Sequence, residues 1–305
     1  MSKSGRVIQS TGKWYKVAVE GGKIFECTIP GKFRLEKKEV TNPVAVGDMV
    51  DFNVNDDGTG IISEIKGREN YIPRQATHGK RGEQILVANV DRAWVVQSVK
   101  EPKLNTGFTD RFLVTCEAYE VPAGLVINKM DLANKKAAGF IEMISELYRS
   151  LGYPVLNTSI KDDDSLAVLI KNLKGKTSVF IGPSGVGKTS LLNVIDPELN
   201  LKVGEISSYS QKGKHTTTFA RLVPLQAGGY IVDTPGIREF GIVNIEKSEL
   251  SLFFPEMIEP RENCKYYNCT HYHEPDCGVA EAYQQGKIDP GRYESYLNIL
   301  ESLEG

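Results

Sequence analysis

The sequence predicts a multidomain α/β protein: a small β-barrel, a doubly wound α/β sheet and a short helical C-terminal part. Three observations carry that expectation. Short β-rich runs separated by turn residues fill positions 1–70. From Tyr71 onward, apolar runs alternate with helical stretches, as buried parallel strands and their covering helices do. After Gly241 the chain turns acidic, and three of its five cysteines fall between positions 264 and 277. A length of 305 residues allows two or three domains at ~100–200 residues each. With 40% hydrophobic and 25% charged residues the composition is globular, neither disordered nor fibrous.

In the first part, 1–70, Trp14–Glu20 and Lys23–Ile29 flank Gly21-Gly22, a hairpin signal. Val46–Phe52 alternates apolar and polar residues, and Asn55–Gly58 turns the chain into Gly60-Ile61-Ile62. The simplest closed sheet of this size is a five-stranded barrel of the oligonucleotide-binding type, with a plain β-sandwich as the alternative. In the second part, 71–241, the strands are Ala93–Val96, Gly124–Ile127, Thr177–Ile181 and Tyr230–Val232, with Phe140–Tyr148 among the helices. The third part, 242–305, ends in the helical stretch Arg292–Leu303. Met1–Arg6 is not followed by an apolar block, and no run of about 18 apolar residues occurs, so neither an export signal nor a membrane partner is expected. The reading is a cytoplasmic monomer.

Gly182-Pro183-Ser184-Gly185-Val186-Gly187-Lys188-Thr189 fits the phosphate-loop pattern G-x-x-x-x-G-K-[ST] in full. It follows an apolar strand and precedes the helical run Ser190–Ile195, the context the chemistry requires. Glycines let backbone N–H groups wrap phosphates, and the helix presents its positive end. Lys188 reaches the β and γ phosphates, and the Thr189 hydroxyl suits Mg²⁺. The pattern implies a nucleoside triphosphate site.

Asn128-Lys129-Met130-Asp131 follows the strand Gly124–Ile127. A carboxylate at Asp131 accepts both N1–H and the 2-amino group of guanine, whereas adenine offers an acceptor at N1 and is repelled. Asn128 braces the loop and the Lys129 stem lies along the base. Thr158 and Ser159, in Asn157–Ile160, offer a second base contact through a backbone N–H. Asp233-Thr234-Pro235-Gly236 has the D-x-x-G form at a strand end, where Asp233 holds Mg²⁺ through water and the Gly236 N–H senses the γ-phosphate. Between these motifs, Gly213–Thr218 contains Thr216 and Thr217, polar residues of the kind that order around Mg²⁺ and γ-phosphate. Position 237 is isoleucine, which orients no water, so intrinsic hydrolysis is expected to be slow. His215 is the nearest group in sequence able to position a water; contact with RNA or a purely loop-shaping role is the alternative.

Cys264, Cys269 and Cys277 with either His271 or His273 supply three thiolates and an imidazole within a short span. Soft donors in a set of four describe a closed, structural, tetrahedral Zn²⁺ site. Cys27 and Cys116 lie in apolar runs and are expected to be buried bystanders.

These elements form the kit of a GTPase in rotated order, with N-K-x-D ahead of the phosphate loop. A compact sheet with neighbouring termini tolerates such circular permutation. Here the chain resembles the circularly permuted GTPases of small ribosomal subunit maturation, the RsgA or YjeQ family. The resemblance covers nearly the whole chain: barrel, rotated motifs, the Gly213–Thr218 switch and the metal cluster. It implies binding to the small ribosomal subunit and its rRNA, and GTP hydrolysis stimulated by that subunit. It also implies His271 as the nitrogen ligand. Ile160 departs from the alanine common at that position. A GTP-gated RNA-binding adaptor with incidental hydrolysis is the alternative, and an ATPase is disfavoured by Asp131.

The net charge of −2 conceals an asymmetry. Residues 1–40 carry 9 basic against 4 acidic groups, whereas residues 242–305 carry 5 against 12. RNA contact is therefore expected to be local, near Lys13-Trp14-Tyr15-Lys16 and Lys32-Phe33-Arg34, where basic and aromatic residues interleave. The same pattern also suits barrel strands whose aromatics face the core.

Overall fold

The computed structural model describes residues 2–31, 43–74, 84–201, 220–233 and 245–303. Lys32-Phe33-Arg34, Gly213–Thr218 and Thr234-Pro235-Gly236 lie outside them.

The first strand, β1 (Ser2–Ser10), is polar over its first half and has no place in the sequence reading. Backbone pairing holds it, antiparallel to β2 (Tyr15–Ala18) on one side and to β4 (Met49–Val54) on the other. With β3 (Ile24–Thr28) and β5 (Gly60–Ile65), the order β1-β2-β3-β5-β4 closes back on β1. The β3–β5 pair is parallel and the others antiparallel, a closed five-stranded barrel rather than a sandwich. Alternate residues fill it: Val7, Tyr15, Val17, Phe25, Phe52 and Ile62 are all buried. Tyr15 thus belongs to the core, while Trp14, 38% exposed, remains outside beside Lys13 and Lys16.

A two-stranded ribbon, β6 (Tyr71–Arg74) with β7 (Gln84–Ala88), leads into the second sheet. There β8 (Arg92–Ser98), β9 (Ala123–Asn128), β10 (Val155–Asn157), β11 (Lys176–Ile181) and β13 (Gly229–Asp233) run parallel in the order β10-β9-β8-β11-β13. The apolar runs were legible because both faces are covered. Trp94 and Val96 pack with Leu166, Leu169 and Leu191, on α3 (Asp163–Leu173) and α4 (Lys188–Ile195). Val95 turns the other way, towards Phe112, Leu113, Ile141 and Ile144 on α1 (Thr106–Ala118) and α2 (Lys135–Ser150). Asn105, Asn134 and Asp162 cap α1, α2 and α3, each accepting a first-turn N–H through its side chain.

The sheet is not wholly parallel. β12 (Arg221–Pro224) joins antiparallel to β13 and meets β1 on its other edge, with Gln9 opposite Arg221. Barrel and larger sheet therefore form one continuous eleven-stranded sheet among the described residues. Arg6 adds a hydrogen bond from the barrel to the Thr177 hydroxyl.

Beyond residue 245, α5 (Pro255–Arg261), α6 (Gly278–Gln284) and α7 (Pro290–Ser302) gather around Phe254, Met257, Tyr296 and Ile299, and this core includes Val114 of α1. Arg292 of α7, only 1% exposed, makes ion pairs of 2.6 Å with both Asp110 of α1 and Glu256 of α5. Tyr148 of α2 donates to the same Asp110 oxygen at 2.6 Å. Burial opposes the charge, but Asp110 and Glu256 outweigh it and keep the Arg292 guanidinium firmly protonated.

Candidate functional site

Open α/β sheets bind ligands beyond the carboxyl ends of their strands, where the strand order reverses. Here β9 and β10 lie on one side of β8, while β11 and β13 lie on the other. The reversal falls between β8 and β11, and the loop Gly182–Thr189 begins there. Gly182 has φ +155°, and a Cβ on it would sit 2.1 Å from the Val96 carbonyl oxygen, so no larger residue fits. Gly187, φ +93°, starts α4 and passes so close to Asn128 that a Cβ would lie 2.6 Å from its Nδ2.

That close approach lets Asn128 join three loops. Its Nδ2 donates to the Val186 carbonyl at 3.0 Å, and its Oδ1 accepts from the Thr158 hydroxyl at 3.2 Å. The Met130 N–H meets the Thr158 carbonyl at 3.1 Å. Lys188 is buried and donates to the carbonyls of Gly182 and Pro183 at 2.7 and 2.9 Å, folding its ammonium over the loop. Thr189 is buried in the same first turn; Ser184 and Gly185 are exposed, and Ser190 is half-buried.

Asp131 accepts from the Ser159 hydroxyl at 2.8 Å through Oδ1 and from the Lys161 ammonium at 2.7 Å through Oδ2. Lys161 first, then Ser159, holds this carboxyl below the usual range, so it is an acceptor at neutral pH. The Ser159 N–H donates to the Ser165 hydroxyl at 3.2 Å, so in this structure Ser159 reaches the site through its side chain. Lys129 takes a left-handed backbone, and its ammonium meets the Glu101 carbonyl. Neither Lys161 nor Glu101 belongs to a motif, and the sequence reading passed over both.

Asp233 ends β13, whose Val232 is level with Val179 of β11, so it comes level with Phe180, two residues before the phosphate loop. Arg221 Nε donates to its Oδ2 at 2.8 Å, and Nη2 forms an ion pair with the same oxygen at 2.8 Å. The Thr189 hydroxyl and the Asp233 carboxylate are hard oxygen donors and suit Mg²⁺. His215, Thr216, Thr217 and Gly236 lie outside the described residues.

In the C-terminal part, the ligand atoms of Cys264, Cys269, His271 and Cys277 lie within 4.8 Å of one another. His271 Nδ1 is 3.4 Å from the sulfurs of both Cys264 and Cys277, while its Nε2 lies 3.0 Å from the Ser251 hydroxyl. That outer contact fixes the ring with Nδ1 inward. Cys277 caps α6; burial raises its thiol's pKa, and the Ala280 N–H, donating to the sulfur at 3.3 Å, opposes that rise. Burial pushes the Cys269 thiol up to about 12 and His271 down to about 4. Three cysteine sulfurs and one imidazole nitrogen gathered in this way fit zinc. His273 is exposed and stacks on Tyr272, outside the cluster. Cys27 and Cys116 are buried elsewhere.

Residues 65–243 match the family model of the RsgA GTPase, and residues 4–62 that of the RsgA N-terminal domain. This chain belongs to the RsgA GTPase family. It is 45% identical over 300 residues to the small ribosomal subunit biogenesis GTPase RsgA of Phocaeicola vulgatus, covering 98% of this chain and 97% of that one. The homologue from Christiangramia forsetii, of the same name, is 42% identical over 303 residues, covering 98% and 96%. Among solved structures, YjeQ from Thermotoga maritima superposes with a TM-score of 0.82 at 35% identity, covering 100% of this chain and 99% of that one. YloQ, a circularly permuted GTPase, gives 0.77 at 33% identity, covering 100% and 96%. Like its RsgA relatives, the chain is a GTP hydrolase on a circularly permuted fold, and the family implies GTP with Mg²⁺.

Proposed function

We propose that this GTPase acts in small ribosomal subunit biogenesis, binding the subunit and its rRNA in the GTP state and leaving after stimulated hydrolysis. The observation that carries the reading is the Asn128 junction, which ties the guanine-reading loop to the phosphate loop in a chain that matches RsgA relatives end to end. In this reading Gly182–Ser190 wraps the phosphates with Lys188 as counter-charge, Asp131 reads guanine, and Ser159 and Thr158 brace that loop. Thr189 and Asp233 would hold Mg²⁺, which neutralises charge between the β and γ phosphates. Thr216, Thr217 and Gly236 complete the γ-phosphate contacts, and His215 positions the attacking water. Cys264, Cys269, His271 and Cys277 hold one structural Zn²⁺.

The molecule divides into a barrel, 1–70, a permuted GTPase domain, 71–241, and a zinc-containing domain, 242–305. It acts as a cytoplasmic monomer, and among the described residues no helix is long and apolar enough to cross a membrane. The test is GTP turnover titrated with purified small subunits. Turnover that rises with subunit concentration supports the reading, and a flat response leaves a GTP-gated adaptor. His215→Ala is expected to remove the stimulated component while GTP binding persists; full stimulated turnover in that variant would take His215 out of catalysis.

A further inference from the structure

A carboxylate that serves a cation through water must present one oxygen in a fixed direction. Asp233 is the last residue of β13. Its restraint comes from the side: Arg221 is its direct partner across the antiparallel β12–β13 pair. The guanidinium Nε donates to Oδ2 at 2.8 Å, and Nη2 lies at ion-pair distance, 2.8 Å, from the same oxygen. Among the described residues no hydrogen bond engages Oδ1.

The Arg221 side chain is 55% exposed, and an exposed ion pair adds little to folding stability. A charge-assisted hydrogen bond to one oxygen does, however, restrain the rotation of a carboxylate whose backbone is set by a strand. The backbone beneath Arg221 is also held on both sides, by β13 and by β1 of the barrel, where Gln9 stands opposite.

We propose that Arg221 is a positioning residue for Mg²⁺, gripping Asp233 by Oδ2 so that Oδ1 faces the nucleotide-bound cation. It does so from the strand on which the barrel is seated. This rests on the reading of Asp233 as the Mg²⁺ carboxylate, and the test separates the two.

Retention of a fluorescent GTP analogue by the full chain is measured against Mg²⁺ concentration for wild type, Arg221→Gln, Arg221→Lys and Asp233→Asn. Loss of a carboxylate's outer partner costs about 10–100-fold in metal affinity. Arg221→Gln is therefore expected to raise the Mg²⁺ midpoint by about that factor, with nucleotide affinity at saturating Mg²⁺ and the thermal midpoint unchanged. Arg221→Lys should recover part of the shift. If Asp233→Asn moves the midpoint and Arg221→Gln does not, the inference is overturned while the reading of Asp233 stands. If neither moves it, that reading falls and the inference falls with it. A lowered thermal midpoint in Arg221→Gln without any Mg²⁺ shift would mark a purely structural pair and overturn the proposal.

Discussion

Asp131 shows how far one carboxylate sets specificity. Lys161 and Ser159 keep it ionised below the usual carboxylate range, so its acceptor oxygens are present throughout ordinary pH. Protonation would begin only on the acid side of the normal value near 3.9. Preference for GTP over ATP is therefore expected to stay flat from about pH 5 to 9, measured by competition against a fluorescent analogue. On the same assignment, Asp131→Asn puts a donor where guanine also donates. Its GTP affinity should fall by about 100-fold or more, while xanthosine triphosphate, with a 2-carbonyl, gains. Residues of this kind were legible because their chemistry recurs at fixed spacing on one stretch of backbone. Lys161, Arg221 and Ser251 were not. Arg221 meets Asp233 only through strand register, and Ser251 meets His271 only because the C-terminal helices fold back on themselves.

At the scale of elements, the buried Arg292 fastens α7 and α5 to α1 and α2 by way of Asp110, Glu256 and Tyr148. Removing the arginine leaves two carboxylates inside without their cation, and an uncompensated buried charge costs about 3–5 kcal/mol. Arg292→Met should destabilise by roughly that amount in urea unfolding, whereas replacing Asp110, Glu256 and Arg292 together with apolar residues should recover most of it. The apolar strands β8, β9, β11 and β13 could be read from the chain because both faces of their sheet are covered. β1 could not, since main-chain pairing holds its Ser2-Lys3-Ser4-Gly5 start where an apolar face would otherwise advertise a strand. β12 is four residues long and ends in Pro224, too short for its alternation to register. The caps Asn105 and Asp162 were present in the sequence, but α1 and α3 also needed their packing against the sheet to stand out.

Across the whole molecule, the zinc-ligand cluster lies in the same acidic C-terminal part as Arg292 and Glu256. If Zn²⁺ holds Cys264, Cys269, His271 and Cys277, chelation should leave the barrel's hydrogen exchange unchanged and strip protection from residues 245–303. Equal protection with and without chelator would remove zinc from the structural account. The join between barrel and larger sheet carries a different consequence. β12 is a short strand that, among the described residues, meets β1 on the side away from β13, at the pair Gln9–Arg221. A fragment lacking residues 1–70 would present its unpaired N–H and C=O groups to other copies, a template for edge-to-edge association. Light scattering of a 71–305 fragment is expected to show self-association that the intact chain lacks. The barrel, read first as a surface for RNA, is then also what keeps its neighbour soluble.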